Sequence, residues 1–382
     1  QEFMRKRQEL ANYFDESQEE DIFDYIPPQK TNQIFTPKRV VKMMVDKLQE
    51  ESPEDFRNPD KTFVDLYIKS GLYLTEIVKR LYVGLEDQIP DKDARLKYIL
   101  ENQVYGFAPS EIIYNIARNF IFGFDENAKN IDDSHVVYLD TTPFARGEGD
   151  FEAKCDELLG GKDMKFDVVV GNPPYQGSGK QNTEQKADMD LVFSDVNSYK
   201  KLDYIACWFY KGAKYIQNSN TKLAFVSTNS ITQGEQVGIL WSYIFDISLE
   251  IGFAYQSFKW KNNAKDNAGV SVVIIGLRNI SNEKKHLYLD NIKQEVKNIN
   301  AYLVQGSNIF ISPTHNNISK LSDILEKNKS VEFKYNNLFY EIFESCDSGY
   351  IVNLYSSDEK DEHDEYLEIN NVDGGLCPWK CK

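Results

Sequence analysis

At 382 residues with a formal net charge of −16, the chain is long enough to bury a substantial core, and one large domain with a smaller appendage is the natural count. No apolar run approaches a membrane span and the first residues carry no signal-peptide pattern, so a cytoplasmic protein without a membrane partner is expected. The five cysteines are odd in number and lack framework spacing, as in a reducing compartment, and Cys346, His363, Cys377 and Cys381 are too irregularly spaced to predict a metal site.

Residues 1–30 read as a polar leader, with a helix over Arg5 to Tyr13 and a linker closed by Pro27-Pro28. The apolar set Val40, Val41, Met44, Val45 and Leu48 has helical spacing. Thr62 to Tyr67 reads as the first strand, followed by a helix through Leu74, Ile77, Val78 and Leu81. A second strand lies near Gln103 to Phe107, and Ile112, Ile113, Ile116 and Phe120 mark the helix after it. His135 to Leu139 and Phe166 to Gly171 are the next strands, then a helix over Ala206 to Ile216 and a strand over Lys222 to Val226. Leu249 to Ala254 and Val270 to Leu277 form a closing hairpin with a long connection. Strands alternating with helices predict an α/β fold, here a doubly wound, mostly parallel sheet of seven strands. Gln176 to Asp190 is polar and aperiodic, either a mobile loop or a surface insertion. Residues 281–382, punctuated by asparagines, form a small C-terminal region with no legible base-reading code.

The densest signal is Asn172-Pro173-Pro174-Tyr175, directly after the apolar run Val168 to Gly171. Neither proline has an N–H and both fix φ, so neither ladder nor helix continues. Asn172 is driven to extended geometry by the proline after it. A stiff turn results at the carboxyl end of a strand, where open α/β sheets place ligands. It offers the Asn172 amide oxygen, the Pro173 carbonyl and the Tyr175 ring. Those groups suit a planar heterocycle with an exocyclic amine, whose delocalised lone pair becomes nucleophilic when two acceptors draw on its N–H bonds. The competing reading is a proline-terminated loop in which Asn172 caps a turn and Tyr175 is core.

In this context the chain resembles the amino-methylating, S-adenosylmethionine-dependent DNA methyltransferases of restriction-modification systems. Their catalytic turn reads Asn, Asp or Ser, then Pro-Pro, then Tyr, Phe or Trp. The resemblance covers about residues 31–280 and implies a Rossmann-like methyltransferase domain there, with residues 281–382 as a partial target-recognition domain. Gln33-Ile34-Phe35-Thr36-Pro37 is similar to the family's amino-terminal cofactor segment. Its place ahead of the catalytic turn matches the γ layout typical of many adenine-specific enzymes. Gly234-Glu235-Gln236-Val237, Phe258-Lys259-Trp260 and Val272 to Leu277 are similar to stretches of large bifunctional type II restriction-methylation proteins.

The resemblance implies that Asn172, Pro173, Pro174 and Tyr175 form the catalytic turn. It implies S-adenosylmethionine as cofactor, held by Phe35, Thr36, Pro37, Asp65, Tyr67, Ser70, Gly71, Phe107, Asp140 and Asn172. It also implies double-stranded DNA as partner, with the target adenine flipped out against Tyr175 and flanked by Phe258, Lys259 and Trp260. Asp140 reads equally as a turn-capping residue, and Phe258 and Trp260 as core. The same larger protein would supply restriction or recognition domains, which fits an acidic chain beginning at Gln1 whose DNA clamp lies elsewhere.

Two positions depart from the pattern. The loop Asp65-Leu66-Tyr67-Ile68-Lys69-Ser70-Gly71 carries Lys69 where the family has glycine, and a lysine resists positive φ. After the second strand Ala108 occupies the place of the ribose-binding acid, with Glu111 a substitute. These keep open a non-catalytic DNA-recognition module, beside an RNA or protein-amide methyltransferase. Cytosine N4 asks for the same groups as adenine N6, whereas cytosine C5 chemistry is disfavoured because no Pro-Cys motif is present.

Overall fold

The computed structural model describes residues 13–14, 36–122, 130–141, 151–160, 165–260, 270–289, 292–308 and 310, with the strands of a second unit between 330 and 376. Phe35, most of the leader and the distal cysteines lie outside these residues. The first compact unit runs to Ile311 and the second follows from Ser312.

Pro37, at φ −59°, opens α1 (Lys38–Glu51), whose five predicted apolar residues are all buried. Then come β1 (Phe63–Asp65), α2 (Leu72–Gly84), α3 (Lys92–Asn102), β2 (Val104–Ala108), α4 (Glu111–Phe122) and β3 (Val136–Tyr138). The chain continues through α5 (Phe151–Leu159), β4 (Val168–Gly171), α6 (Thr183–Val192), α7 (Ala206–Ile216), β5 (Lys222–Thr228) and α8 (Gly234–Asp246). It ends in β6 (Leu249–Trp260), β7 (Val270–Asn279), β8 (Lys285–Leu289) and β9 (Ile292–Val296).

The α/β reading holds, but the sheet has nine strands rather than seven, in the order β3-β2-β1-β4-β5-β7-β6-β8-β9. The pairs β1–β2, β2–β3, β1–β4, β4–β5 and β6–β8 are parallel, whereas β7 runs against β5 and β6, and β9 against β8. The extra hairpin escaped detection because β9 buries a single residue, Val296, and so carries no apolar run. With β8 and β9 on the sheet, the compact unit extends past the boundary expected at residue 280. Helix α3 was hidden because Arg95 breaks its apolar face, yet Arg95 is buried and stacks over Tyr82.

Side-chain alternation along the strands feeds two cores, one on each face. Phe63, Val168, Val170 and Val226 pack with α1 to α4, while Val64, Val169, Leu223 and Phe225 pack with α6 to α8. This is the doubly wound layering, with every central strand buried on both sides. The stretch after Tyr175 is not a bare loop. Asn182 and Gln185 form a reciprocal capping box that starts α6.

Helix α1 is tied to the far strands by a buried ionic cluster. The Arg278 guanidinium donates to Glu250 Oε1 at 2.9 Å and Glu51 Oε2 at 3.2 Å. His286 contacts Glu51, and Lys285 reaches Glu250 at 2.8 Å. The second unit is an antiparallel sheet, with β10 (Ser330–Tyr335), β11 (Leu338–Glu344), β12 (Gly349–Ser356), β13 (Tyr366–Val372) and β14 (Gly375–Leu376) adjacent in chain order.

Arg278→Met strands two buried carboxylates without their shared cation. It is expected to lower the unfolding free energy by about 3–5 kcal/mol, read from urea denaturation beside the wild type.

Candidate active site

Register places the site. Asp65, the last residue of β1, lies beside Val170 of β4 and Gly106 of β2. The loop after β1 and the turn after β4 therefore leave the sheet at one edge. Gly171 is closely packed there: a Cβ on it would stand 3.3 Å from Asp65 Oδ1, which would have to give slightly.

Asn172 is 1% exposed. Its Nδ2 donates to Thr36 Oγ1 at 3.0 Å, which orients the amide, while its Oδ1 is buried with no hydrogen-bond partner among the described residues. A buried acceptor left unpaired costs on the order of 1–3 kcal/mol, so this oxygen is a standing demand for a donor. Tyr73, in the first turn of α2, presents a second buried oxygen, with the Thr36 hydroxyl beside it. Burial, and then the field of Asp65, push the Tyr73 hydroxyl far above its ordinary range, with Thr36 and Tyr175 also close enough to act on it. Thr36, Asp65, Tyr73, Asn172 and Tyr175 thus converge. Tyr175 is half-buried against the second core, its hydroxyl pushed up to about 12 chiefly by burial and then by Asp203.

The loop after β1 resolves the glycine question. Left-handed backbone falls on Gly71, at φ 88°, and Lys69 is absent from the residues with positive φ. Gly71 caps α2, Ser70 Oγ accepts from Leu72 N at 3.3 Å, and a Cβ on Gly71 would press on Ile121 at 3.1 Å. Asp65 Oδ1 accepts from Tyr67 N at 3.1 Å. Burial pushes the Asp65 carboxyl up to about 7, and pushes the neighbouring Lys69 ammonium down to about 8 against the opposing field of Asp65.

The remaining expected residues divide. Tyr67 is half-buried edge-to-face against Trp208, with ring centroids 6.4 Å apart; burial, then Asp140, push its hydroxyl up to about 12. Asp140 itself is exposed just beyond β3. Phe107 is fully buried in core, and its carbonyl holds the loop by accepting from Ile68 N at 2.8 Å. Ala108 is also fully buried, while Glu111 is exposed at the start of α4. Pro37 is half-buried beside Thr36. Phe258 packs on the first core beside Tyr255, and Lys259 is exposed. Trp260 pairs with Val270 where β6 ends, at the sheet edge to which β4 also points. Sequence reasoning missed Tyr73, Trp208 and Asp203; only Gln236, which binds Asp203, lay in a stretch already singled out. Among the described residues no His, Cys, Asp and Glu cluster is placed to hold a metal.

Comparison with known proteins bears directly on this edge. Residues 126–289 match the model of the MmeI DNA-methyltransferase domain. DNA methyltransferase A of Bacillus subtilis (strain 168) is 54% identical over 230 residues, covering 58% of this chain and 26% of that protein. An uncharacterized adenine-specific methylase of Mycoplasma pneumoniae (strain ATCC 29342 / M129 / Subtype 1) is 23% identical over 265 residues, covering 54% of this chain and 63% of its relative. The structure of the type IIL restriction-modification enzyme MmeI in complex with DNA aligns with a TM-score of 0.59 at 29% identity, over 74% of this chain and 42% of that one. The resemblance to DNA methylases of restriction-modification systems is therefore shown, and the chain spans about a quarter of the first relative and under two thirds of the second.

Between its ordinary value of 3.8 and about 7, the Asp65 carboxyl holds in the folded protein a proton that the unfolded chain has released. Its stabilising contribution is complete below about pH 4 and is lost as pH rises to about 7. Asp65→Asn removes that slope. Urea unfolding from pH 5 to 7 should show the wild type losing stability relative to the variant, by up to about 1.4 kcal/mol per pH unit.

Proposed function

We propose that this chain is the methyltransferase part of a restriction-modification protein, transferring a methyl group from S-adenosylmethionine to adenine N6 in double-stranded DNA. The observation that carries the reading is the buried Asn172 Oδ1, unpartnered among the described residues and held in orientation by Thr36 beside the Tyr175 ring.

The residues at the edge fit the cofactor. Asp65 is a buried acid suited to a cationic amino-acid group, Gly71 turns the chain tightly into α2, and Thr36 and Ser70 carry buried hydroxyls. When bound, S-adenosylmethionine supplies an electrophilic methyl group on a sulfonium. The protein's own part is to prepare the amine. Asn172 Oδ1 and the Pro173 carbonyl accept from the exocyclic N–H bonds and favour a pyramidal nitrogen. As that nitrogen gains the methyl group and positive charge, the two fixed dipoles stabilise it without reorganising, until its proton passes to solvent. Tyr175 stacks on the base and fixes its approach. A base in a duplex does not reach an oxygen this deeply placed, so the target is flipped out.

Adenine is preferred to cytosine because the segment with Thr36 precedes the catalytic turn, and because one relative is described as adenine-specific. The DNA clamp belongs to the rest of a longer protein, since a net charge of −16 leaves little for phosphate contacts here. No described helix is long and apolar enough to cross a membrane, and cytoplasmic DNA is the expected substrate. A second reading, base recognition without methyl transfer, rests on Lys69, whose buried ammonium neutralises Asp65, and on Ala108.

Calorimetric titration with S-adenosylmethionine separates the two. Micromolar binding that Asp65→Ala weakens by about tenfold or more supports the enzyme, whereas a folded protein that takes no cofactor refutes it. With binding shown, Asn172→Ala should lower uptake of labelled methyl groups into unmodified DNA by about 10²–10³-fold.

A further inference from the structure

The turn that carries Tyr175 has no ladder to hold it. Pro173 and Pro174 donate no hydrogen bonds, and β4 stops at Gly171. The first backbone after the ring to be fixed is that of Gln176. Its N–H donates to Asp203 Oδ1 at 2.8 Å, and its carbonyl accepts from Tyr204 N at 3.0 Å and Gln181 Nε2 at 3.1 Å.

Asp203 is 3% exposed and lies between α6 and α7. Besides Gln176 N, its Oδ1 accepts from Ile205 N at 3.2 Å. Its Oδ2 accepts from Thr228 Oγ1 and Ser230 Oγ, each at 3.1 Å. Thr228 is the last residue of β5, the strand beside β4. The Asp203 N–H in turn donates to Gln236 Oε1 at 2.8 Å, from the first turn of α8. One buried carboxylate thus joins the residue after Tyr175 to the end of the neighbouring strand, while the backbone N–H of the same residue ties it to the start of α8. Hydrogen bonds to a charged acceptor are about twice as strong as neutral ones, and four of them saturate this group.

We propose that Asp203 is the positioning residue of the catalytic turn, clamping Gln176 to the end of β5 so that the Tyr175 ring is held where a flipped base stacks, with Gln236 holding the clamp. Its catalytic meaning rests on the function proposed above, while its structural meaning does not. Tyr204 and Ile205 belong to the second core, and the Tyr204 hydroxyl is held by Asp188, so their burial does not depend on the Asp203 carboxylate. What the carboxylate supplies beyond the bonds to the Gln176 carbonyl is the tie from the Gln176 N–H to the end of β5.

The test compares wild type, Asp203→Asn and Asp203→Ala. Hydrogen exchange is followed on peptides spanning 172–181, with S-adenosylmethionine affinity by calorimetry and labelled-methyl transfer to unmodified plasmid DNA. In Asp203→Ala, exchange at the Gln176 amide should rise at least about tenfold, cofactor affinity should stay within about threefold, and kcat should fall by about 30-fold or more with KM for DNA little changed. Asp203→Asn keeps an uncharged acceptor and the same shape, so it should recover part of both the protection and kcat. Unchanged exchange at Gln176 in both variants overturns the proposal. So does a kcat loss equal in the two variants, or one accompanied by loss of cofactor affinity. If the wild type itself transfers no methyl groups, the proposed function fails, and the exchange data still decide whether Asp203 clamps the turn.

Discussion

Two prolines at the end of one strand set the terms for everything around them. Because Pro173 and Pro174 can donate to no neighbour, β4 has to end at Gly171, and the residue between strand and prolines cannot curl away. Parallel pairing of β4 with β1 then brings the turn level with Asp65. From that single register follow the close packing at Gly171, the orientation of Asn172 by Thr36, and the meeting of polar groups from β1, α2 and the segment ahead of α1.

The cost of this arrangement is electrostatic. Asp65, Lys69, Tyr73 and Asn172 are polar or ionisable groups taken almost wholly out of water, and the Asn172 Oδ1 lacks a partner among the described residues. Such groups survive only where the surroundings cannot relax to satisfy them. Here the rigidity comes from cores on both faces of the sheet and from ionic ties such as Arg278 with Glu51 and Glu250, which fasten α1 and hence the approach to Thr36. The same low dielectric that makes the groups expensive strengthens any dipole they direct at a ligand. Local instability and chemical capability at this edge have one cause.

Charge within the edge is also balanced in an unusual way. Lys69 brings an ammonium toward Asp65 at a position where a small residue would leave the carboxylate alone. The fold tolerates the lysine because Gly71, two residues on, takes the left-handed turn, leaving Lys69 with ordinary backbone. A substitution that looks disruptive when the loop is read as a string is therefore absorbed geometrically, and its consequence is a change of field rather than of shape.

Most of the framework was legible in the chain itself. Helical spacing in α1, the β-branched run of β4, the alternation of strands with helices and the stop at Pro173-Pro174 are local properties, written within a few residues of where they act. They determined the α/β class and the edge at which Asn172 and Tyr175 leave the sheet. What they could not determine is pairing and burial at long range. That β8 would add to β6, or that α3 would bury Arg95 against Tyr82, depends on partners far away in sequence. Local pattern equally lacks any mark for Tyr73, which becomes a site residue only when α2 packs beside Thr36, or for Asp203, whose partners lie at 176, 205, 228 and 230. The sequence thus determined which groups could do the chemistry, because residue type and turn geometry are local. The tertiary structure alone decided which of them meet and which are left without water, because burial is a property of the packed whole.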